Sequence, residues 1–133
     1  MPLFEFLIKQ RPLSLQTRNR NNLQAWKNFV RQEASKTWND TLIEEQYLHV
    51  VIVYLSDDSP PDVDNIVKPI LDALVGLIYE DDVLIADVES HRRYLSDGIE
   101  ITNLPELLQS GVLDGEECVY IKIETSQTLE NYL

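Results

Sequence analysis

The sequence predicts an α+β fold, a two-layer sandwich in which helices pack on one small mixed β-sheet. Three observations point there. Apolar residues recur at helical spacing in two segments, near 21–37 and 65–75. Apolar or alternating runs of strand length stand at 3–8, 46–55, 83–95 and 118–124. The resulting order, β-α-β-α-β-β, is that of helices laid on a sheet. A length of 133 residues, 44% of them apolar and 26% charged, fits one domain over 1–133 with its own core.

Residues 3–8, LFEFLI, read as a strand that Arg11-Pro12-Leu13-Ser14 breaks. Over 21–37 the apolar stripe is Leu23, Trp26, Phe29 or Val30, Ala34 and Trp38, with Lys27, Arg31 and Lys36 on the polar side. The two tryptophans are read as packing residues, in the core or at a dimer interface. The run QYLHVVIVYL at 46–55 is apolar enough to be buried on both faces of a sheet. His49 within it is read as a structural histidine bonded to a partner. Pro60-Pro61 closes the loop that follows. The helix at 65–75 carries the stripe Val67, Ile70, Leu71, Leu74 and Val75. Asp64 or Asn65 is its expected N-cap, Pro69 falls near its first turn, and Gly76 suits its C′ position. Residues 83–95 begin as a strand, with Ala86 and Val88 alternating against Asp87 and Glu89. Residues 99–113 show no clear period beyond a short helix around 105–109. Residues 118–124 alternate with Val119, Ile121 and Ile123 on one face, which makes Cys118 a small core residue. Asp57-Asp58 and Glu116-Glu117 read as solvated acidic turns, and the polar tail after Thr125 as a fraying end.

A single cysteine excludes an internal disulfide and points to a reducing compartment, the cytoplasm. No apolar run approaches the roughly 20 residues of a membrane-spanning helix, so no membrane is expected. The start MPLFEFLIKQRP lacks the basic-then-apolar pattern of an export signal. The net charge of −12 argues against a general nucleic-acid binder, whose affinity comes from neutralising phosphates. The charge is lopsided, however. Residues 1–40 hold seven basic and three acidic residues, whereas 41–133 hold four basic and twenty acidic ones.

The segment PDVDNIVK at 61–68 carries the chemistry. In an extended stretch Asp62 and Asp64 face one side, and Lys68, four residues after Asp64, falls on the same helix face. Asp72 continues that polar line, and Glu80-Asp81-Asp82 follows the helix. If 77–80 is extended, the chain from Gly76 to Asp82 reaches about 20 Å, enough to return along a helix of roughly 16 Å. Asp82 would then arrive beside Asp62 and Asp64. Two carboxylates 4 Å apart repel by about 4 kcal/mol at an effective dielectric near 20, so such a cluster calls for a counter-cation. Oxygen-only donors select Mg²⁺ or Mn²⁺ over zinc. Such an ion keeps positions for phosphate oxygens and water, and Lys68 can stabilise transition-state charge or orient the attacking water. Phosphodiester hydrolysis is the chemistry this arrangement suits. The spacing alone leaves a second reading open: Asp62 and Asp64 as turn and cap residues, and Asp81-Asp82 as a solvated turn.

The stretch DVDNIVKPILDALVGLIYEDDVLI resembles the signature of RusA-like Holliday-junction resolvases. That pattern is D-x-D-N-x-x-K, then D-A-L-x-G, then an aromatic residue and D-D. It is met by Asp62, Asp64, Asn65, Lys68, Asp72-Ala73-Leu74, Gly76, Tyr79 and Asp81-Asp82. The opening strand, Arg11-Pro12-Leu13-Ser14 and the helix with Trp26 resemble the family's N-terminal part. The resemblance implies metal binding by Asp62, Asp64 and Asp82, with Asp81 expected to assist, and a catalytic role for Lys68. It further implies a Mg²⁺-dependent homodimeric endodeoxyribonuclease that cuts four-way DNA junctions, in recombination and repair. Two departures stand out. Leu84 occupies a place where the family often shows Gln, and a lysine in the next strand is replaced at best by Arg92 or Arg93.

With the chain at −12, junction binding requires Arg11, Arg18, Arg20, Arg92 and Arg93 to gather into one local patch; otherwise DNA binding is weak. Arg18 and Arg20 lie in TRNRNN, read equally as a DNA-contacting or a solvated loop, and His91 is weighed as a phosphate contact. The competing function class is non-enzymatic: an acidic protein of this fold that mimics DNA or regulates a basic partner. Lys68 among the carboxylates argues against it.

Overall fold

The structure is a computed structural model that describes residues 3–14, 18–57, 60 and 65–133. The elements are β1 (Phe4–Ile8), α1 (Arg20–Ser35), β2 (Leu48–Ser56), α2 (Val67–Leu74), β3 (Ile85–Tyr94), α3 (Glu106–Asp114) and β4 (Cys118–Thr125). Short 3-10 turns lie at Asp82–Leu84, Leu95–Asp97 and Leu129–Asn131. The sheet order is β1-β4-β2-β3. β4 is antiparallel to β1 and β2, while β2 and β3 run parallel. The fold is therefore the expected α+β type with a mixed sheet. The parallel pair requires a crossover, and α2 supplies it.

Side-chain alternation sorts the sheet into two faces. Phe6, Ile8, Val50, Ile52, Ile121 and Ile123 point to one face and are buried under Trp26 and Val30 of α1 and Ile70 and Leu74 of α2. The opposite face is covered at one end by α3, where Leu108 packs on Leu55, Cys118 and Tyr120. Strand β2 is thus covered on both faces for most of its length, which accounts for its near-continuous apolar run.

Several boundaries differ from the sequence reading. α2 starts at Val67 and is capped by backbone at Ile66 with no side-chain bond, so Asn65 is not its N-cap. Pro69 is its third residue, where a missing N–H costs no helical hydrogen bond. Gly76 adopts φ 80°, the left-handed conformation expected just past a helix end. Residues 76–78 form a turn rather than an extended run. The short helix expected around 105–109 is longer in the structure, where α3 runs over Glu106–Asp114. The tail does not fray. Tyr132 stacks on His49 with ring centroids 4.6 Å apart, and Ser126 bonds Asp87.

Candidate active site

α2 builds the centre of the site. It has no acidic residue in its first turn and no basic residue in its last. α1 provides the missing cation: Arg31 Nη1 donates to the carbonyl oxygens of Val75 at 2.7 Å and Ala73 at 3.3 Å, at the negative end of α2. One turn earlier on α1, Lys27 Nζ lies 3.7 Å from Asp72 Oδ2. Lys68 Nζ donates to the other oxygen of Asp72, Oδ1, at 3.2 Å. Asp72 is therefore held between two ammonium groups from two helices.

The chain then turns back along α2. Leu74 O accepts from the N–H groups of Leu77 at 3.2 Å and Ile78 at 3.0 Å, and Gly76 N–H donates to Tyr79 O at 2.7 Å. Residues 78–80 are fastened to Ile43 by two backbone bonds of 2.9 Å. Tyr79 is fully buried, and its hydroxyl donates to Leu71 O at 2.6 Å. That phenol is driven well above its ordinary pKa by burial, with the charges of Asp72 and Asp82 adding to the effect. Tyr79 is thus the post that brings the end of this turn back to the middle of α2.

Asp81 and Asp82 arrive there with different duties. Asp81 caps the 3-10 turn, accepting from Val83 N–H at 3.2 Å. That backbone bond, with a bond shared with Asp82, holds its carboxyl below the usual range. Asp82 is pushed the other way, chiefly by the Asp81 carboxylate beside it. The Lys68 ammonium partly offsets that push, and Asp72 adds to it. Asp82 therefore shares an electrostatic neighbourhood with Lys68 and Asp72, although 76–78 is a turn rather than the extended path expected. Asp62 and Asp64 lie outside the described residues. Among the described residues no group of three or more His, Cys, Asp or Glu side chains is arranged to hold a metal. Asp72, Asp81 and Asp82 offer oxygen donors only, and the affinity of Asp82 for protons is raised by the hydrogen bond it shares with Asp81. That donor chemistry fits a hard divalent cation and no thiophilic one.

The arginines expected to form one patch are dispersed. Arg92 pairs in register with Tyr54 and Arg93 with Leu55, so the two point to opposite faces of the sheet. Arg92 shares the α1–α2 side with Lys68 and Asp72, whereas Arg93 faces the α3 side. About 23 Å of strand separates Ile85, three residues after Asp82, from Arg92. Arg11 pairs with Glu117 at 3.3 Å, and Glu117 also accepts from Asp57 N–H at 3.0 Å. Glu117 is thus a tied group rather than a solvated turn residue. Arg18 and Arg20 flank Asn19, which caps α1 through a 3.1 Å bond from Asn22 N–H. His49 has the structural role expected, with Nε2 3.0 Å from Glu89. His91 lies 3.4 Å from Glu89 and faces the α3 side with Arg93.

Lys27 was missed as a site residue, having been assigned only to the polar side of its helix. Its four-residue spacing from Arg31 was the available signal: both reach α2 from the same face of α1.

Residues 8–102, more than two thirds of the chain, match the family described as Endodeoxyribonuclease RusA. No curated protein matches closely enough to be named as a relative. No helix among the described residues is long and apolar enough to cross a membrane. The matched span contains β1's last residue, both helices of the site, β2, β3 and every acidic and basic group described around Asp72. The chain belongs to the RusA endodeoxyribonuclease family.

Proposed function

We propose that this protein is a Mg²⁺-dependent, homodimeric endodeoxyribonuclease that resolves four-way junctions or related branched DNA in recombination and repair. The observation that carries the reading is the turn after α2, pinned by Tyr79 to Leu71 O, which brings Asp81 and Asp82 back beside the helix that holds Lys68 and Asp72. It rests also on the family match, whose members act on DNA junctions. Asp62, Asp64 and Asp82 would hold the ion, with Mn²⁺ a chemical equivalent. When bound, the cation supplies Lewis acidity at a phosphoryl oxygen.

The chain's own residues do the rest. Phosphodiester hydrolysis builds negative charge on the phosphoryl and leaving oxygens. Lys68 presents a point charge there, held in place by Asp72. Asp81 fixes the turn that carries Asp82. Arg92, on the α1–α2 side, would meet the DNA backbone, and Arg20 at the start of α1, with Arg18 just before its cap, would add phosphate contacts. Two copies related by a two-fold axis suit a junction in which two strands are cut.

The test is cleavage of a labelled four-way junction with and without Mg²⁺, using the wild type and Asp64→Asn. Asp64→Asn should abolish cleavage while junction binding is kept or improved, because one repelling charge is removed. Wild-type cleavage by Asp64→Asn would sink the mechanism. No product and no junction binding at low salt, from the wild type itself, would instead favour the acidic, DNA-mimicking reading.

A further inference from the structure

β3 is an edge strand. The sheet order β1-β4-β2-β3 pairs it on one side, and among the described residues no strand lies on its other side. Its pairing with β2 is regular from Asp87 to Tyr94. A long, regular edge is a template for another strand unless something blunts it. Common blunting devices are missing here: residues 87–94 include no proline, no lysine and no bulge. The opposite edge, β1, is only five residues long, and its one charged residue, Glu5, is bonded by Tyr120.

The charges of β3 are sorted along the strand. Asp87 and Glu89 stand in its first half, and His91, Arg92 and Arg93 in its second. Two carboxylates against two guanidinium groups leave it neutral, in a chain of net charge −12. A two-fold axis normal to the sheet sets two such edges antiparallel with the same face of each sheet uppermost. With the axis at Ser90, Asp87 faces the partner's Arg93 and Glu89 faces the partner's His91, all on the α3 side. Symmetry makes each pair twice. On the α1–α2 side the exposed Tyr94 falls diagonally across from the partner's exposed Val88. Neighbouring registers lose this fit. An axis at Glu89 sets that carboxylate against its own copy, and an axis at His91 leaves Asp87 facing the partner's Leu95.

Contacts within the chain leave these groups capacity for more. Asp87 accepts from Ser126 and lies 3.3 Å from His49, while Glu89 lies 3.0 Å from His49 and 3.4 Å from His91. A carboxylate has about four lone-pair sites. Arg93 Nη1 donates to Arg92 O at 2.9 Å, which uses one of about five guanidinium N–H groups. The other acids on that face, Glu124 of β4 and Glu5 of β1, stand two and three strands from β3.

We propose that two copies of this chain join through β3, antiparallel about a two-fold axis at Ser90, so that their four-stranded sheets run on as one. This interface rests on the homodimeric reading above and gives it a surface. Each copy then lends an arginine towards the other's site. Arg92 of the partner subunit stands one strand and three residues from Ile85, roughly 11 Å, against about 23 Å for the copy's own Arg92.

Disulfide trapping reads the register. Cα atoms facing each other across an antiparallel pair are about 4.5–5.5 Å apart, within disulfide reach. Ser90→Cys should therefore give a disulfide-linked dimer under mild oxidation. Val88→Cys should not, because its two copies stand one strand and four residues apart, roughly 14 Å. The native Cys118 is buried, so the wild type should stay uncrosslinked. By light scattering at high-micromolar concentration the wild type should have the mass of two chains. Arg93→Glu sets like charges face to face twice and should raise the dissociation constant about tenfold or more. A monomeric wild type would overturn the interface together with the homodimeric reading. A dimer that Ser90→Cys fails to trap, that Val88→Cys traps as readily, or that Arg93→Glu leaves as tight would overturn the interface alone. No DNA enters these measurements, so junction cleavage judges the nuclease chemistry separately.

Discussion

Asp72 sits between Lys68 and Lys27, 3.2 Å from the first ammonium and 3.7 Å from the second. Its side chain is only 28% exposed and that of Lys68 is 59% exposed, so the carboxylate is the fixed member and the lysine the mobile one. Removing the charge should leave Lys68 free to sample other rotamers. We expect Asp72→Asn to lower kcat on branched DNA by about tenfold, with KM little changed. Lys68→Met should cost 10²-fold or more, the scale of a lost transition-state contact. Lys27→Arg should retain most activity where Lys27→Met does not. Single-turnover cleavage of a junction substrate measures all of these, and equal losses in kcat and affinity would argue against a positioning role.

Arg92 and Arg93 offer a test of which sheet face meets DNA. Arg92→Gln should weaken junction binding and reduce the slope of affinity against salt by about one charge. Arg93→Gln should have the smaller effect, because it faces the α3 side. Binding isotherms at several salt concentrations decide the matter, and equal effects would contradict the assignment of faces.

Arg31 serves α2 from another helix. Arg31→Met removes a 2.7 Å bond to Val75 O and the cation near the negative end of α2. The expected destabilisation is about 1 kcal/mol, since the group is largely exposed. A urea melt with unchanged m-value would show it.

Gly111 is needed for lack of space, not for its backbone angles. A Cβ there would meet Cys118 Sγ at 2.9 Å and Leu7 Cδ1 at 3.4 Å. Gly111→Ala should cost about 1–3 kcal/mol by overpacking under α3. Much of that loss should return in a Cys118→Ala background, where the sulfur is gone. Thermal melts of the two single variants and the double variant measure the coupling.

Cys118 is almost fully buried, and burial pushes its thiol up to about 11. A thiol raised in the folded state stabilises the fold below its unfolded pKa of about 8.5, and that stabilisation is lost as pH climbs towards the folded value. At pH 8 alkylation of the native protein should be 100-fold or more slower than in denaturant. A timed reaction with a thiol reagent checks this, and rapid labelling of the native chain would contradict the packing under α3.

The two helices of the site, all four strands and the acidic motif were legible from the chain alone. Periodicity reports which face of an element meets a core, and it did so for Trp26, Val30, Ile70 and Leu74 as for Val119, Ile121 and Ile123. α3 was largely hidden because its apolar face is short and interrupted by Gln109, Ser110 and Gly111. The sequence reading returns the chain on condition that 77–80 is extended, whereas in the structure 76–78 is a turn. A left-handed glycine and two bonds to Leu74 O return the chain within one turn.

Sequence by itself determined the types of group present: an oxygen-only acidic set, one lysine four residues after it, and a spacing that identifies the family. Only the tertiary structure decided which charges meet. Lys27 and Arg31 are more than forty residues from their partners Asp72 and Val75. Adjacent arginines parted because a strand turns successive side chains to opposite faces, and only the packed sheet says which face lies under which helix. Local pattern fixes the elements; non-local contacts, through the packing of α1 on α2, fix the electrostatics of the site.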